Sequence, residues 1–287
     1  MNTIVVTGVS TGIGHAAVKL LLDKGFRVFG SVRKQEDADR LSAEFGDAFT
    51  PLIFDVTDEA AIKDAADCVR ADLQGETLAG LVNNAGIAVP GPLTELATDE
   101  FRQQLEVNLV GPFMVTKAFA PLLGTDPSLS GEPGRVVNIS SVAGIRAMPF
   151  LGSYAASKFG LEGYSEALRR ELLLYGIDVV VVGPGPVKTA IWDKAEGLDV
   201  SNYAGSPYAQ ILEKFSHMFI AQGQDGYPAE RLGAVIHEAL TTPRPKVRYA
   251  AEKGRVLEKV VRAVAGKRTL DKIIGKALGL LPALRDR

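Results

Sequence analysis

Short apolar runs rich in β-branched residues recur along the chain: TIVVTG, FRVFGSV, AFTPLIFDV, LAGLVNNAG, GRVVNIS and IDVVVVGPG. Their apolar positions are consecutive rather than alternating, the pattern of strands covered on both faces. Between them lie stretches of helical length, and this alternation predicts parallel strands in a doubly wound α/β sheet. Six such strands fall before residue 185, and KVRYAA, Lys246 to Ala251, predicts a seventh. Asp58 before EAAIKDAADCVRADL and Thr98 before DEFRQQLEVNLVG are the expected helix caps.

Three segments depart from the alternation. TDPSLSGEP, Thr125 to Pro133, reads as a turn-rich loop. Residues 192–227 form a long insertion rich in aromatic residues after the sixth strand, where an α/β sheet places a substrate wall. Residues 252–287 carry apolar positions at helical spacing with Lys and Arg interleaved, predicting a basic amphipathic helical tail. With no internal repeat or low-complexity linker, the expectation is a single domain over 1–287: a Rossmann-type, mostly parallel seven-stranded sheet with helices on both faces and a C-terminal helical extension.

Composition narrows the class. Cys68 is the one cysteine and cannot form an intrachain disulfide, while His15, His217 and His237 are scattered without metal-ligand spacing, so a reducing compartment and no metal are expected. MNTIVVTG leaves no room for a signal peptide, and no apolar run approaches the roughly 18 residues of a membrane span. A cytoplasmic protein is expected. The net charge of −2 conceals a basic tail: residues 244–287 hold 13 Lys and Arg against 4 Asp and Glu. No recognition module or stacking platform accompanies that charge, which excludes nucleic acid as the expected partner.

The first apolar run ends in TGVSTGIGHAAVKLLLDKG. Glycines at 8, 12 and 14, at a strand-to-helix junction, let backbone amides and a helix N-terminus approach a pyrophosphate. The second run ends in Arg33 and Lys34 where a fold selecting a free ribose 2′-hydroxyl offers an acid, which favours NADP(H) over NAD(H), the latter remaining an alternative. Asp55 closes the third run and either accepts from the adenine amino group or caps the next helix. In SYAASKFGLEGYSEALRREL, Tyr154 and Lys158 stand one helical turn apart on one face, which either tunes a phenol with an ammonium or is packing beside a solvated charge.

Taken in order, TGVSTGIG, NNAG (Asn83 to Gly86), Asn108, SSVAG, Tyr154 with Lys158, and PGPVKT resemble the classical short-chain dehydrogenase/reductase family across residues 1 to about 190. The resemblance implies a catalytic tetrad of Asn108, Ser141, Tyr154 and Lys158. Ser141, thirteen residues before Tyr154, has the family's spacing; Ser140 is the alternative donor. Asn108 is implied to hold a water linking Lys158 to solvent, or else is a locally satisfied helix residue. Implied cofactor contacts are Gly8, Ser10, Thr11, Gly12, Ile13 and Gly14; Arg33, Lys34, Asp55 and Val56; Asn83, Ala85 and Gly86; Tyr154 and Lys158; and Pro184, Gly185, Val187 and Thr189. Lys158, together with the cationic nicotinamide of the oxidised complex, is expected to lower the phenol of Tyr154 below its ordinary value near 10.

The insertion and basic ending are similar, less specifically, to 17β-hydroxysteroid and retinol dehydrogenases. That likeness implies an apolar ketone or alcohol as substrate, bound near Ser141, Pro149, Phe150, Tyr154, Trp192, Tyr203 and Met218. The aromatic residues of the insertion equally suit a small core of their own. The tail packs on the body or another subunit, or contacts a membrane surface peripherally. Family members commonly pair, which implies a homodimer or homotetramer. The competing function is a catalytically silent dinucleotide-binding regulator or scaffold, against which the intact tetrad argues.

Overall fold

The computed structural model describes residues 2–188, 200–251 and 266–281. Seven strands form one sheet: β1 (Thr3–Val6), β2 (Arg27–Val32), β3 (Phe49–Ile53), β4 (Gly80–Asn83), β5 (Arg135–Ile139), β6 (Asp178–Pro184) and, at the edge, β9 (Arg248–Ala251). Their order is β3-β2-β1-β4-β5-β6-β9 and every neighbouring pair is parallel. All six apolar runs became strands, and KVRYAA supplied the seventh. A two-strand pair, β7 (Val187–Lys188) with β8 (Tyr227–Pro228), lies apart from the main sheet.

Helices cover both faces, and each face has its own core. On one side α1 (Gly12–Asp23), α2 (Gln35–Phe45) and α8 (Ala229–Thr241) bury Val18, Leu21, Leu41, Leu232 and Ile236 against β-strand valines. On the other, α3 (Glu59–Leu73) and α5 (Gly111–Phe119) bury Ile62, Val69, Val115 and Phe119. Asp58 caps α3 as expected, accepting from the Ala60 and Ala61 amides. Thr98 does not cap α4 (Thr98–Leu105); it is the first helical residue, Ala97 holds the cap position, and Glu100 accepts from the Ala97 amide.

A π-type turn, Glu106–Val110, separates α4 from α5. Pro112 has no N–H to return to the Asn108 carbonyl four residues back, so the regular ladder breaks there. The widened turn carries the fully buried Asn108.

The strand order reverses between β1 and β4, so the carboxyl ends of these strands open a crevice at the switch point. Above it, α6 (Gly152–Glu171) runs back along the sheet, and α7 (Ala209–Gln224) and α9 (Lys267–Leu278) form a third core with Phe150, Leu212, Phe215 and Leu278. Among the described residues, then, the tail packs on the body: Lys214 donates to the Ala277 carbonyl at 3.1 Å.

Candidate active site

The crevice is floored by the first turn after β1. Gly8 and Gly12 have φ of +69° and +66°, conformations that L side chains rarely adopt. A side chain at Gly8 would also meet the Ala85 Cα at 2.8 Å, and one at Gly14 would meet the Gly8 carbonyl oxygen at 2.4 Å. Glycine here lets the loop lie flat on the end of β4 and leaves the N-terminus of α1 open, its cap residue Thr11 making no side-chain bond to the free amides.

The resulting cleft of about 490 Å³ is lined by Gly8, Ser10, Thr11, Gly12, Ile13, Arg33, Asp55, Val56, Ala85 and Gly86, as expected, and also by Ser31, Asn84, Ile87 and Gln103. A glycine-floored cleft lined by the N-terminus of α1 and by Arg33 fits a dinucleotide with a 2′-phosphate. Arg33 faces Asp55 at 3.8 Å, and Asp55 uses its other oxygen to accept from the Thr57 amide and hydroxyl at 3.0 and 2.8 Å. Asp55 thus orders a turn at the cleft wall, while the helix cap is Asp58.

Other expected contacts stand elsewhere than on the lining of this cleft. Asn83 points away from the cleft: it is buried in the sheet, donating to Thr116 at 2.9 Å and to Asn138 at 2.8 Å, because its register on β4 faces the α5 side. Its neighbour Asn84 does the work at the cleft, donating to the carbonyls of Thr7 and Gly8 at 2.9 Å each. Lys34 is exposed at the cap of α2, and it, Gly14, Asn83, Tyr154, Lys158, Pro184, Gly185 and Val187 are not among the residues that line this cleft. Val187 is buried in the first core cluster. Thr189 and Trp192 lie outside the described residues.

At the inner end of the cleft, a side chain on Gly86 would meet Asn108 Oδ1 at 3.2 Å and Lys158 Nζ at 3.8 Å, so the trough leads directly to the Tyr-Lys pair. Lys158 is 5% exposed, donates to the Ile139 carbonyl at 2.9 Å, and holds its ammonium 5.8 Å from the Tyr154 ring centroid. Burial lowers its pKa to about 8, opposed by Glu162 one turn further along α6. Tyr154, half-buried in the first turn of α6, has its phenol near the Ser141 hydroxyl. Burial pushes its phenol up and the Ser141 hydroxyl pulls it down; burial prevails.

Ser141 caps the short turn Val142–Gly144, accepting from the Ala143 amide at 3.1 Å. Ser140 is buried behind it, its hydroxyl finding no partner among the described residues, and the geometry selects Ser141 as the serine beside Tyr154. The side chain of Asn108 clasps Ile87, accepting from its amide and donating to its carbonyl at 2.9 Å each, and donates to Ser157 at 3.1 Å. Gln104, one turn earlier, clasps the same loop through Val89 and Ile87. The local-satisfaction alternative thus holds for the Asn108 side chain. Gln104 was unremarked in the sequence, though its four-residue spacing from Asn108 on one helix was the available signal.

On the opposite wall, Phe150 (φ 64°) and Met218 belong to the third core with Tyr203, Tyr208, Phe215 and Phe219. The aromatic residues of the insertion thus pack in a core shared with the segment before α6 and with α9. Tyr203 reaches over the loop after β4, its hydroxyl 2.6 Å from where a side chain on Gly91 would begin.

The chain matches the short chain dehydrogenase family over residues 2–197. It is 38% identical to an NADPH-dependent 3-dehydrocapnine reductase of Ornithobacterium rhinotracheale over 278 residues, covering 97% of this chain and 98% of that one. It is 31% identical to human retinol dehydrogenase 5, covering 85% and 79%. A solved short-chain dehydrogenase from Streptomyces avermitilis superposes with a TM-score of 0.73 at 27% identity, covering 96% and 97%. The glycine-floored trough, the switch-point sheet and the serine, tyrosine and lysine at its inner end thus have a family: the chain belongs to the short-chain dehydrogenases/reductases.

Proposed function

We propose that this NADP(H)-dependent oxidoreductase interconverts an apolar carbonyl compound of steroid or retinoid type, a ketone or an aldehyde, and its alcohol, with Tyr154 as the proton-transfer group. The observation that carries the reading is the convergence of the Tyr154 phenol, the Ser141 hydroxyl and the buried Lys158 ammonium where the cleft ends. The NADPH-dependent reductase with 38% identity supports the cofactor, as does Arg33 at the rim.

When bound, NADPH supplies a hydride to the carbonyl carbon. Ser141 donates a hydrogen bond to the carbonyl oxygen, and Tyr154 gives it the proton as negative charge develops there. A phenol held up by burial stays protonated near neutrality and so is available as the proton donor for reduction. Lys158, still largely protonated below about pH 8, stabilises the phenolate left behind. Asn108 and Gln104 fix the Ile87–Val89 loop that borders the nicotinamide end. In oxidation the same groups run in reverse.

The third core, where Phe150 packs against Tyr208 and Phe215, supports an apolar substrate, for which Pro149, Tyr203 and Met218 are the proposed further contacts. The half-exposed Phe113 and Phe159, on α5 and α6, support pairing of these helices in a cytoplasmic homodimer or homotetramer. No helix among the described residues is long and apolar enough to cross a membrane.

Titrating the protein with NADPH and NADH tests the cofactor. Arg33→Ala is expected to weaken NADPH about tenfold, the scale of one partly exposed charge-assisted pair, and to leave NADH unchanged. Equal losses for both cofactors would remove the 2′-phosphate assignment. Turnover of retinal, a steroid diketone or a long-chain methyl ketone separates the enzyme from a silent regulator.

A further inference from the structure

Arg248 comes from the edge strand β9, 107 residues after Ser141 and 86 after Glu162, yet its guanidinium joins both. Nε donates to the two carboxylate oxygens of Glu162 at 3.1 Å each, and Nη2 donates to the Ser141 carbonyl at 3.2 Å. The side chains of Arg248 and Glu162 are only 22% and 18% exposed, unlike the ordinary surface pairs elsewhere on this protein. We propose that Arg248 is a positioning residue for the reaction, tying the Ser141 turn to the turn of α6 that follows Lys158 so that the Ser141 hydroxyl keeps a fixed place beside Tyr154. This rests on the oxidoreductase reading of that site.

Two glycines make room for the clamp. A side chain on Gly183 of β6 would begin 2.1 Å from Arg248 Nη2, so glycine is what allows the guanidinium to cross the sheet end. A side chain on Gly144 would begin 2.6 Å from the Ser140 hydroxyl and 3.0 Å from both Glu162 Cγ and the Lys158 carbonyl, so the Ser141 turn lies directly on α6. The turn's internal bonds are local: Ala143 to the Ser141 hydroxyl at 3.1 Å and Gly144 to the Ser141 carbonyl at 3.0 Å. Local bonds shape the turn but do not set its height above α6. Arg248 does so from a different strand, because one rigid planar fork meets an acceptor on each partner. A lysine could neutralise Glu162 but would offer a single point charge in place of that fork.

The alternative is that Arg248 merely anchors β9 to the sheet. A double-mutant cycle with the carbonyl probes of the previous section separates the two. Arg248→Gln is expected to lower kcat about tenfold or more, because small displacements of a reacting group carry such losses. NADPH affinity should stay within about twofold, since Arg248 is not among the residues that line the cofactor trough. In a Ser141→Ala background the same change should cost less than about twofold, because the group it positions is gone. Multiplicative losses in the two backgrounds would overturn the proposal. Arg248→Lys, expected to lose an intermediate amount, carries the same cycle if the glutamine variant does not fold.

Amide exchange gives a readout independent of turnover. The Ala143 and Gly144 amides should exchange faster in Arg248→Lys while those of α1 are unchanged; equal rates at all of them would overturn the clamp. If wild-type protein reduces none of the probes, the oxidoreductase reading is what fails, and exchange alone decides whether Arg248 holds the turn.

Discussion

Replacing Lys158 by methionine should stabilise the fold while abolishing turnover. The ammonium is protonated well above pH 8 in an unfolded chain, with a pKa of 10.5, whereas burial brings it to about 8 in the folded protein. Between these values the unfolded chain binds more protons than the folded one, so stability rises with pH through that window. At about 1.4 kcal/mol per pH unit, the buried charge costs the native state about 3 kcal/mol at pH 7. Methionine keeps the length and removes that cost. It also strips the Ile139 carbonyl of its donor at 2.9 Å, a loss of about 1–2 kcal/mol. Urea unfolding at pH 7 should therefore place the variant about 1–2 kcal/mol above wild type. Linkage gives a sharper test: between pH 7 and pH 9.5 wild type should recover about 2 kcal/mol that the variant cannot, so the gap between them narrows by that amount. A gap that stays constant across this range would refute the burial argument.

Other consequences follow from the same geometry. Because Lys158 loses its proton near pH 8, the rate of ketone reduction should fall as pH rises through that value, measured as kcat at saturating NADPH. Gly8→Ala forces a side chain to within 2.8 Å of the Ala85 Cα at a φ of +69°, and should cost about 1–3 kcal/mol in urea unfolding together with most NADPH binding. Asn83→Ala should lower stability by about 1–3 kcal/mol, since it strands the buried Asn138 and Thr116 groups, yet leave NADPH affinity nearly unchanged. Fluorescence titration checks the last point; a tenfold loss of affinity would return Asn83 to the cofactor site.

Local pattern was enough for the strands because a buried parallel strand must be apolar on both faces, and Val179 to Val182 leave no other reading. The glycine turn and the Tyr154–Lys158 pair were equally legible, each being a short-range spacing with a chemical reason. What stayed hidden depends on distance or direction. Asn83 and Asn84 are adjacent and identical in type, and only the register of β4 sends one into the sheet and the other to the cleft. The π-type turn at Asn108 hinged on Pro112, which a helical period alone does not weigh. Whether Tyr154 is raised or lowered follows from how deeply it is enclosed, a quantity that its spacing from Lys158 does not contain. Arg248 meets Ser141 and Glu162 only because the last strand returns beside β6.

The most direct test of the account is a single-turnover measurement on Tyr154→Phe, mixing enzyme-bound NADPH with retinal, the steroid diketone or the methyl ketone that wild type reduces. The variant keeps the ring that packs at the cleft end and loses only the hydroxyl near Ser141. The account predicts NADPH binding within about twofold of wild type, with hydride transfer slowed by at least about a hundredfold, the scale of general acid catalysis. Hydride transfer at close to the wild-type rate would contradict it.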